Sequence, residues 1–326
     1  MDIATRLIIA ALALSYIFYR FYTLPSGKGI SFFESVFDGK NALTISAILV
    51  LLMIINWGIE SLKWKLLINQ AEKISYRNAF QAILGGLAVS IFTPNRVGEF
   101  FGRVFILKKT DPLKAILLTI VGSFSQLLVT IVLGTVAYVI FAPHYLPSVM
   151  YESTWLVKGF SLTLCIISLT LLFSYFNISV LHRISILIPA KYSERIRNSI
   201  DAMADCPKPL LLKTVLLSSL RYLVFSIQFY LAIRLMELNF TFSQCMMVIP
   251  IIYLALAAIP TVALAELGVR GSVSVFLFGL LFGVKGLDSE ATLAVVSAST
   301  LIWLINIAVP SLAGVLVVFR LKFFRR

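Results

Sequence analysis

Apolar residues along this chain gather in long runs separated by short polar stretches. The runs cover approximately 4–22, 41–60, 78–93, 97–107, 115–141, 156–176, 212–235, 243–264, 267–284 and 291–319. Several approach or exceed the roughly 20 apolar residues that a helix needs to cross a hydrocarbon core, more than a soluble core accounts for. The first, Leu7 to Tyr19 behind Arg6, lacks a small-x-small cleavage site and is followed by Arg20 and Phe21. It reads as an uncleaved helix. Composition agrees: 60% hydrophobic, 13% charged and a mean hydropathy of +0.96, against roughly 45–50% apolar and about 25% charged in soluble domains. The expected class is an all-α polytopic membrane protein.

Lys and Arg positions set the orientation. With both termini cytoplasmic, 18 basic residues fall inside and six outside, and Arg96, Arg103, Arg221 and Arg270 fall within apolar runs. That solution requires 78–93 with 97–107, and 243–264 with 267–284, to enter and leave on one side. At 1.5 Å per residue the first pair is too short to span, so two re-entrant helical hairpins are expected beside about six full spans. The charge of +13 then reports loops facing anionic lipid at a cytoplasmic (inner) membrane, not nucleic acid. In the linker 177–211, Tyr192, Ile196, Ile200 and Met203 recur at helical spacing. An amphipathic helix on the inner leaflet and a solvated linker both fit that pattern.

The two hairpins carry a matching motif. One reads Thr93-Pro94-Asn95-Arg96-Val97-Gly98-Glu99-Phe100-Phe101-Gly102-Arg103, the other Ile259-Pro260-Thr261-Val262-Ala263-Leu264-Ala265-Glu266-Leu267-Gly268-Val269-Arg270. Each has a proline that ends an apolar arm, then Glu, then Arg four residues on. With an insertion in the second unit, Gly134 aligns with Gly314 and Gln126 with Asn306. The first repeat is expected over about 41–141 with hairpin 78–107, the second over about 212–319 with hairpin 243–284. The two hairpins have opposite sidedness, as an inverted repeat requires.

A lone ionised side chain in a bilayer is costly, and Glu and Arg at i, i+4 neutralise each other on one helix face. Broken helix ends expose amides and the positive end of the dipole, which favours an anionic head group, and Arg96, Arg103 and Arg270 supply forks that match phosphate. Candidate substrate-binding residues are therefore Asn95, Arg96, Glu99, Arg103, Glu266 and Arg270, with Gln126 and Asn306 behind them. The same pairs could equally serve as self-satisfied salt bridges. For Arg221, snorkelling to the interface competes with a substrate role. Glu60 reads as an interfacial anchor near Trp57 and Trp64, paired with Lys63. Thr93 or Asn95 could cap the second arm, Gly85, Gly86 and Ser90 permit close helix approach, and Pro310 marks a kink near Asn306.

Cys165, Cys206 and Cys245, with His144 and His182, have no metal-ligand spacing, and no phosphate-loop, dinucleotide or hydrolase motif occurs. No cofactor, metal or catalytic residue is expected. The segment from Gly85 to Arg103 resembles the transmembrane flippase domain of the bifunctional lysylphosphatidylglycerol synthase family, and Glu266 to Arg270 is similar to that family's second signature. The second match is degenerate: Ala263 and Ala265 stand where glycines are usual, and Glu266 precedes its arginine. Where relatives carry an arginine after each motif, this chain has Ser123, Ser125 and Gln126, or Trp303 and Asn306. The resemblance implies translocation of an anionic or aminoacylated phospholipid, or of a polyprenyl-phosphate carrier, through a polar cavity between the hairpins. Aminoacyl transfer to lipid is not expected of this polypeptide, and a separate synthase or glycosyltransferase could act as partner. The alternative is a membrane-embedded transferase or accessory subunit for lipid-linked sugars, with Glu99 as its base; a structural or partner-binding subunit is a third possibility.

Overall fold

The computed structural model describes residues 41–90, 93, 96–146, 155–182, 194–260, 263–283 and 286–320. These residues are mostly helical, with no strand among them. In chain order they form α1 (Ala42–Ile68), α2 (Tyr76–Ser90), α3 (Gly98–Val104), α4 (Pro112–Tyr145), α5 (Trp155–Phe176), α6 (Glu194–Ala204), α7 (Lys208–Leu235), α8 (Phe242–Ala258), α9 (Ala263–Leu280), α10 (Ser289–Trp303) and α11 (Val309–Arg320). Among the described residues, five helices are long and apolar enough to cross a membrane: α1, α4, α5, α7, and the continuous stretch that starts with α10 and runs into α11. Their apolar side chains stay exposed, among them Leu51 and Ile54 on α1 and Leu162, Ile166 and Leu169 on α5. That is expected of surfaces that meet lipid rather than water. The expected first span, 4–22, lies outside the described residues.

The two segments expected as hairpins each hold two helices with a break between them: α2 with α3, and α8 with α9. α2 has 15 residues and α3 seven, about 23 and 10 Å at the helical rise, so neither arm reaches across roughly 30 Å of hydrocarbon. The first break begins after Ser90, where Thr93 hooks back: its Oγ1 accepts from the Gly98 amide at 2.8 Å, capping the free start of α3. α8 and α9, of 17 and 18 residues, fall just short of a perpendicular crossing. The Thr241 side chain and Gln244 open α8 with a reciprocal capping box, which satisfies two otherwise orphaned amides.

The chain divides into two compact units, each drawing on segments from both halves of the chain. The first comprises residues up to Ile54, Thr130–Cys165 and Val224–Val309; it holds α8, α9, α10 and the larger apolar core. Phe229, Phe240 and Phe278 meet there ring to ring, with Ile249, Ile252, Val295 and Ala298 packed around them. The second comprises Ile55–Val129, Ile166–Leu223 and the residues from Pro310; it holds α2 and α3. The arms of its hairpin touch backbone to backbone, since a Cβ on Gly102 would sit 2.6 Å from the Gly86 Cα.

One relation recurs in both units. Gly134, downstream of the first hairpin, packs on the first arm of the second, where a Cβ would lie 2.6 Å from Leu254 Cβ and 3.0 Å from the Pro250 oxygen. Gly314, downstream of the second hairpin, packs on the first arm of the first, against Leu84 and Ala88. The two glycines that align in sequence thus do the same job on exchanged partners.

Pro310 has the expected effect on its helix. Leu304–Ala308 form a π turn, in which the Val309 amide reaches back to the Leu304 oxygen. Pro310 lacks the N–H that the Asn306 carbonyl would meet in an α-helix, and a widened turn accommodates the loss. The linker holds a real helix, α6, with Ile196, Ile200 and Met203 half-buried and Arg197 exposed; Tyr192 lies outside the described residues. His182 ties it down with ring nitrogens 3.0 Å from Asp201 and 3.1 Å from Asp205. At the far end of α1, Glu72 accepts from the amides of Lys108, Lys109 and Thr110 and from the Thr110 hydroxyl.

Candidate functional site: a buried ion cluster and its counterpart

Helix α1 is mostly apolar but carries one buried polar stripe. Asn56, Glu60 and Lys63 fall at i, i+4 and i+7, a single helix face, and all three are buried. Burying such groups is tolerated only when each finds partners. Glu60 Oε1 accepts from Arg103 at 3.0 Å, while its Oε2 accepts from Arg221 at 2.9 Å and pairs with Lys63 at 2.8 Å. Arg103 also grips Glu99, four residues earlier on α3. Arg221 donates its Nε to the Asn56 side-chain oxygen at 2.8 Å, with its guanidinium 4.8 Å from the Trp57 ring centre. Lys63 donates to Ser218 at 3.3 Å, and Ser218 is 2.8 Å from Ser125.

The two carboxylates differ in setting. The Glu60 side chain is 3% exposed and bound by three cations, whereas Glu99 is 23% exposed and bound by one. Glu60 is thus a fixed counter-ion of the fold, and Glu99 can exchange its partner with solvent or an incoming group. Gly86 lets α2 close on this pair, because a Cβ there would lie 2.9 Å from Arg103 Cγ and 3.0 Å from the Glu99 backbone oxygen.

The other unit repeats the motif more simply. Arg270 donates to Glu266 at 2.8 Å within α9, and its guanidinium lies 6.0 Å from the Tyr253 ring centre of α8. Tyr253 donates its hydroxyl to the Phe225 carbonyl at 3.2 Å. Ser274 lies on the same face as this pair and is buried.

Glu99, Arg103 and Arg221 share one cluster, and Arg221 is held there by Glu60 and Asn56, not extended toward an interface. Gln126 neighbours the cluster through Ser218, whose carbonyl lies 3.5 Å from its amide nitrogen. Arg96 stands just before α3 with a φ of 57°, a left-handed conformation that arginine adopts only under constraint. Asn95 lies outside the described residues. Glu266 and Arg270 pair as their spacing predicts, while Asn306 is buried and donates to the Ile302 carbonyl at 3.2 Å in its own helix. The Glu60–Lys63 pair forms as expected, but the central place of Glu60 is more than an interfacial anchor has. The polar stripe of Asn56, Glu60 and Lys63 on an apolar helix is the signal that points to it.

These features define a polytopic helical membrane protein with a partly buried Glu–Arg pair at each of two helix–break–helix segments. A family model, that of the lysylphosphatidylglycerol synthase TM region, matches residues 3–321. The chain belongs to this family. No curated protein and no solved structure matches it.

Proposed function

We propose that this protein moves a phosphate-bearing lipid, an anionic or aminoacylated phospholipid or a polyprenyl-phosphate carrier, across the cytoplasmic membrane. Membership of a family commonly linked to lipid flipping supports the general activity. The observation that carries it to these residues is the unequal burial of the two carboxylates on Arg103. A permanently buried guanidinium holds one fixed and one exchangeable counter-ion, so a phosphate can replace Glu99 without stranding a bare charge in a low-dielectric site. The Glu266–Arg270 pair offers a second station of the same chemistry. Head groups pass from water onto such stations while acyl chains stay in lipid, and no covalent bond is made or broken.

The test is lipid translocation in proteoliposomes containing the purified chain. Glu99→Gln and Arg103→Ala should each slow movement of the transported lipid at least tenfold. Wild-type rates in both variants would refute the site, and a covalently altered lipid would replace translocation with transferase chemistry.

A further inference from the structure

Away from the ion cluster, the α2–α3 pair is tied at its base, and the tie gathers positive charge. Helix α1 ends at Ile68 and α4 begins at Pro112. Both are long and apolar enough to cross a membrane, so the segments 69–75 and 105–111 lie where spans meet the head-group layer. Glu72 in the first segment accepts from the amides of Lys108, Lys109 and Thr110 in the second, at 3.3, 2.9 and 3.0 Å. The pair therefore begins and ends at one face. The first segment is pinned further, as Asn69 accepts from the Ile74 amide at 3.1 Å and Ser75 from the Asn78 amide at 3.2 Å.

Residues 69–78 and 105–114 hold five cations, Lys73, Arg77, Lys108, Lys109 and Lys114, and two carboxylates, Glu72 and Asp111. Both carboxylates are turned onto backbone: Glu72 onto the amides above, and Asp111 onto those of Leu113 and Lys114. Among the described residues no carboxylate forms an ion pair with Lys73, Arg77, Lys108 or Lys109, and all four are exposed. Because Glu72 binds the amides of Lys108 and Lys109 rather than their ammonium groups, it sets these lysines beside Lys73. Like charges held together in this way favour a surface of opposite sign. Tyr76 and Phe105, within a few residues of the cations, expose their rings. Cations beside rings suit the boundary between head groups and acyl chains, whereas a soluble acidic partner would use the cations alone.

We infer that this surface is a docking site for anionic phospholipid head groups, with Glu72 as its organiser. The ligand is the phosphate of a lipid with net negative charge, taken from the leaflet at the base of the α2–α3 pair. The inference goes beyond translocation, since it concerns which lipid gathers beside this pair and not how a lipid crosses.

The test uses the full chain, delipidated in detergent and titrated with phosphatidylglycerol or phosphatidylcholine, with bound lipid counted by native mass spectrometry. Lys108→Gln with Lys109→Gln, which keeps the amides that Glu72 binds, should weaken phosphatidylglycerol binding about tenfold, as should Lys73→Gln with Arg77→Gln. Lys208→Gln with Lys213→Gln removes the same charge from exposed positions elsewhere in this unit and should leave binding as in wild type. Glu72→Ala gives the sharpest result. It makes the protein more positive, so net charge alone predicts tighter binding, whereas loss of the organiser predicts binding weakened several-fold. Tighter or unchanged binding in Glu72→Ala overturns the proposal, as does equal loss in the Lys208/Lys213 control or equal affinity for phosphatidylcholine. Wild-type phosphatidylglycerol binding in both patch variants would also overturn it and leave the cations to a soluble acidic partner. The expected pattern in a protein that moves no lipid would refute translocation and leave the docking surface standing.

Discussion

Gly314 lies on the backbone of Leu84 so closely that a Cβ at this position would overlap the Leu84 carbonyl oxygen. The neighbour is backbone within a helix and cannot turn aside, so any side chain must push α2 and α11 apart. Gly314→Val should therefore destabilise the protein by roughly 2–4 kcal/mol, as overpacking of a tight contact does. Gly159→Ala, with open space around its Cβ position, should be neutral or slightly stabilising. Thermal unfolding in detergent compares the two, and equal melting temperatures would show that the contact is dispensable.

Glu60 and Glu99 should separate cleanly on substitution. Glu60→Gln leaves Lys63, Arg103 and Arg221 around a neutral amide, and removing one partner of a buried charge group costs about 3–5 kcal/mol. Glu99→Gln removes the more exposed carboxylate and should cost about 1 kcal/mol or less, after allowance for solvent screening. The expected pattern is a poorly folding Glu60→Gln and a well-folded, translocation-deficient Glu99→Gln. The reverse order would contradict the division into fixed and exchangeable counter-ions.

That division was only half legible in sequence. Glu99 with Arg103 and Glu266 with Arg270 could be paired because helical spacing alone brings i and i+4 together. The partners Glu60 and Arg221 are 161 residues apart, and no local rule joins them. Helix existence was legible for the same reason: apolar runs longer than a core requires admit one solution in lipid. The arms of the first hairpin could be called short, but not how short. The seven residues of α3 end at Val104, while the apolar pattern continues to Leu107. The polar stripe on α1 is visible in sequence, but Trp57 and Trp64 beside it give the same residues the pattern of an interfacial belt.

Glu72 supplies a pH-dependent contribution outside the spans. Burial pushes its carboxyl up, but the amides of Lys109, Lys108 and Thr110 and the Thr110 hydroxyl outweigh that and hold it below its ordinary value of 4.5. A carboxylate with a lowered folded-state value adds stability above the unfolded value and loses it as pH falls through the folded one. Wild type should exceed Glu72→Gln by about 1 kcal/mol at neutral pH, and the gap should close progressively below pH 4.5. A pH-independent gap would mean that the loop is held by shape, not by charge.

Pro310→Ala restores the amide that an α-helix would aim at the Asn306 carbonyl. The π turn over Leu304–Ala308 should relax toward α geometry, with slower amide hydrogen exchange across those five residues. Unchanged exchange would assign the turn to side-chain packing instead of the missing donor.

The Glu72 clasp has a mechanical consequence. The first hairpin is anchored past the end of α3 by the Glu72 clasp, along α3 by Arg103 on Glu60, and along α2 by Gly314 on Leu84. Three anchorages around so short a pair of arms make it a fixed bracket, not a hinged flap. Under the translocation proposed above, the moving part within this unit is then a single carboxylate that changes partner. Steps of that kind run at side-chain speed, faster than the collective domain motions of a rocking transporter.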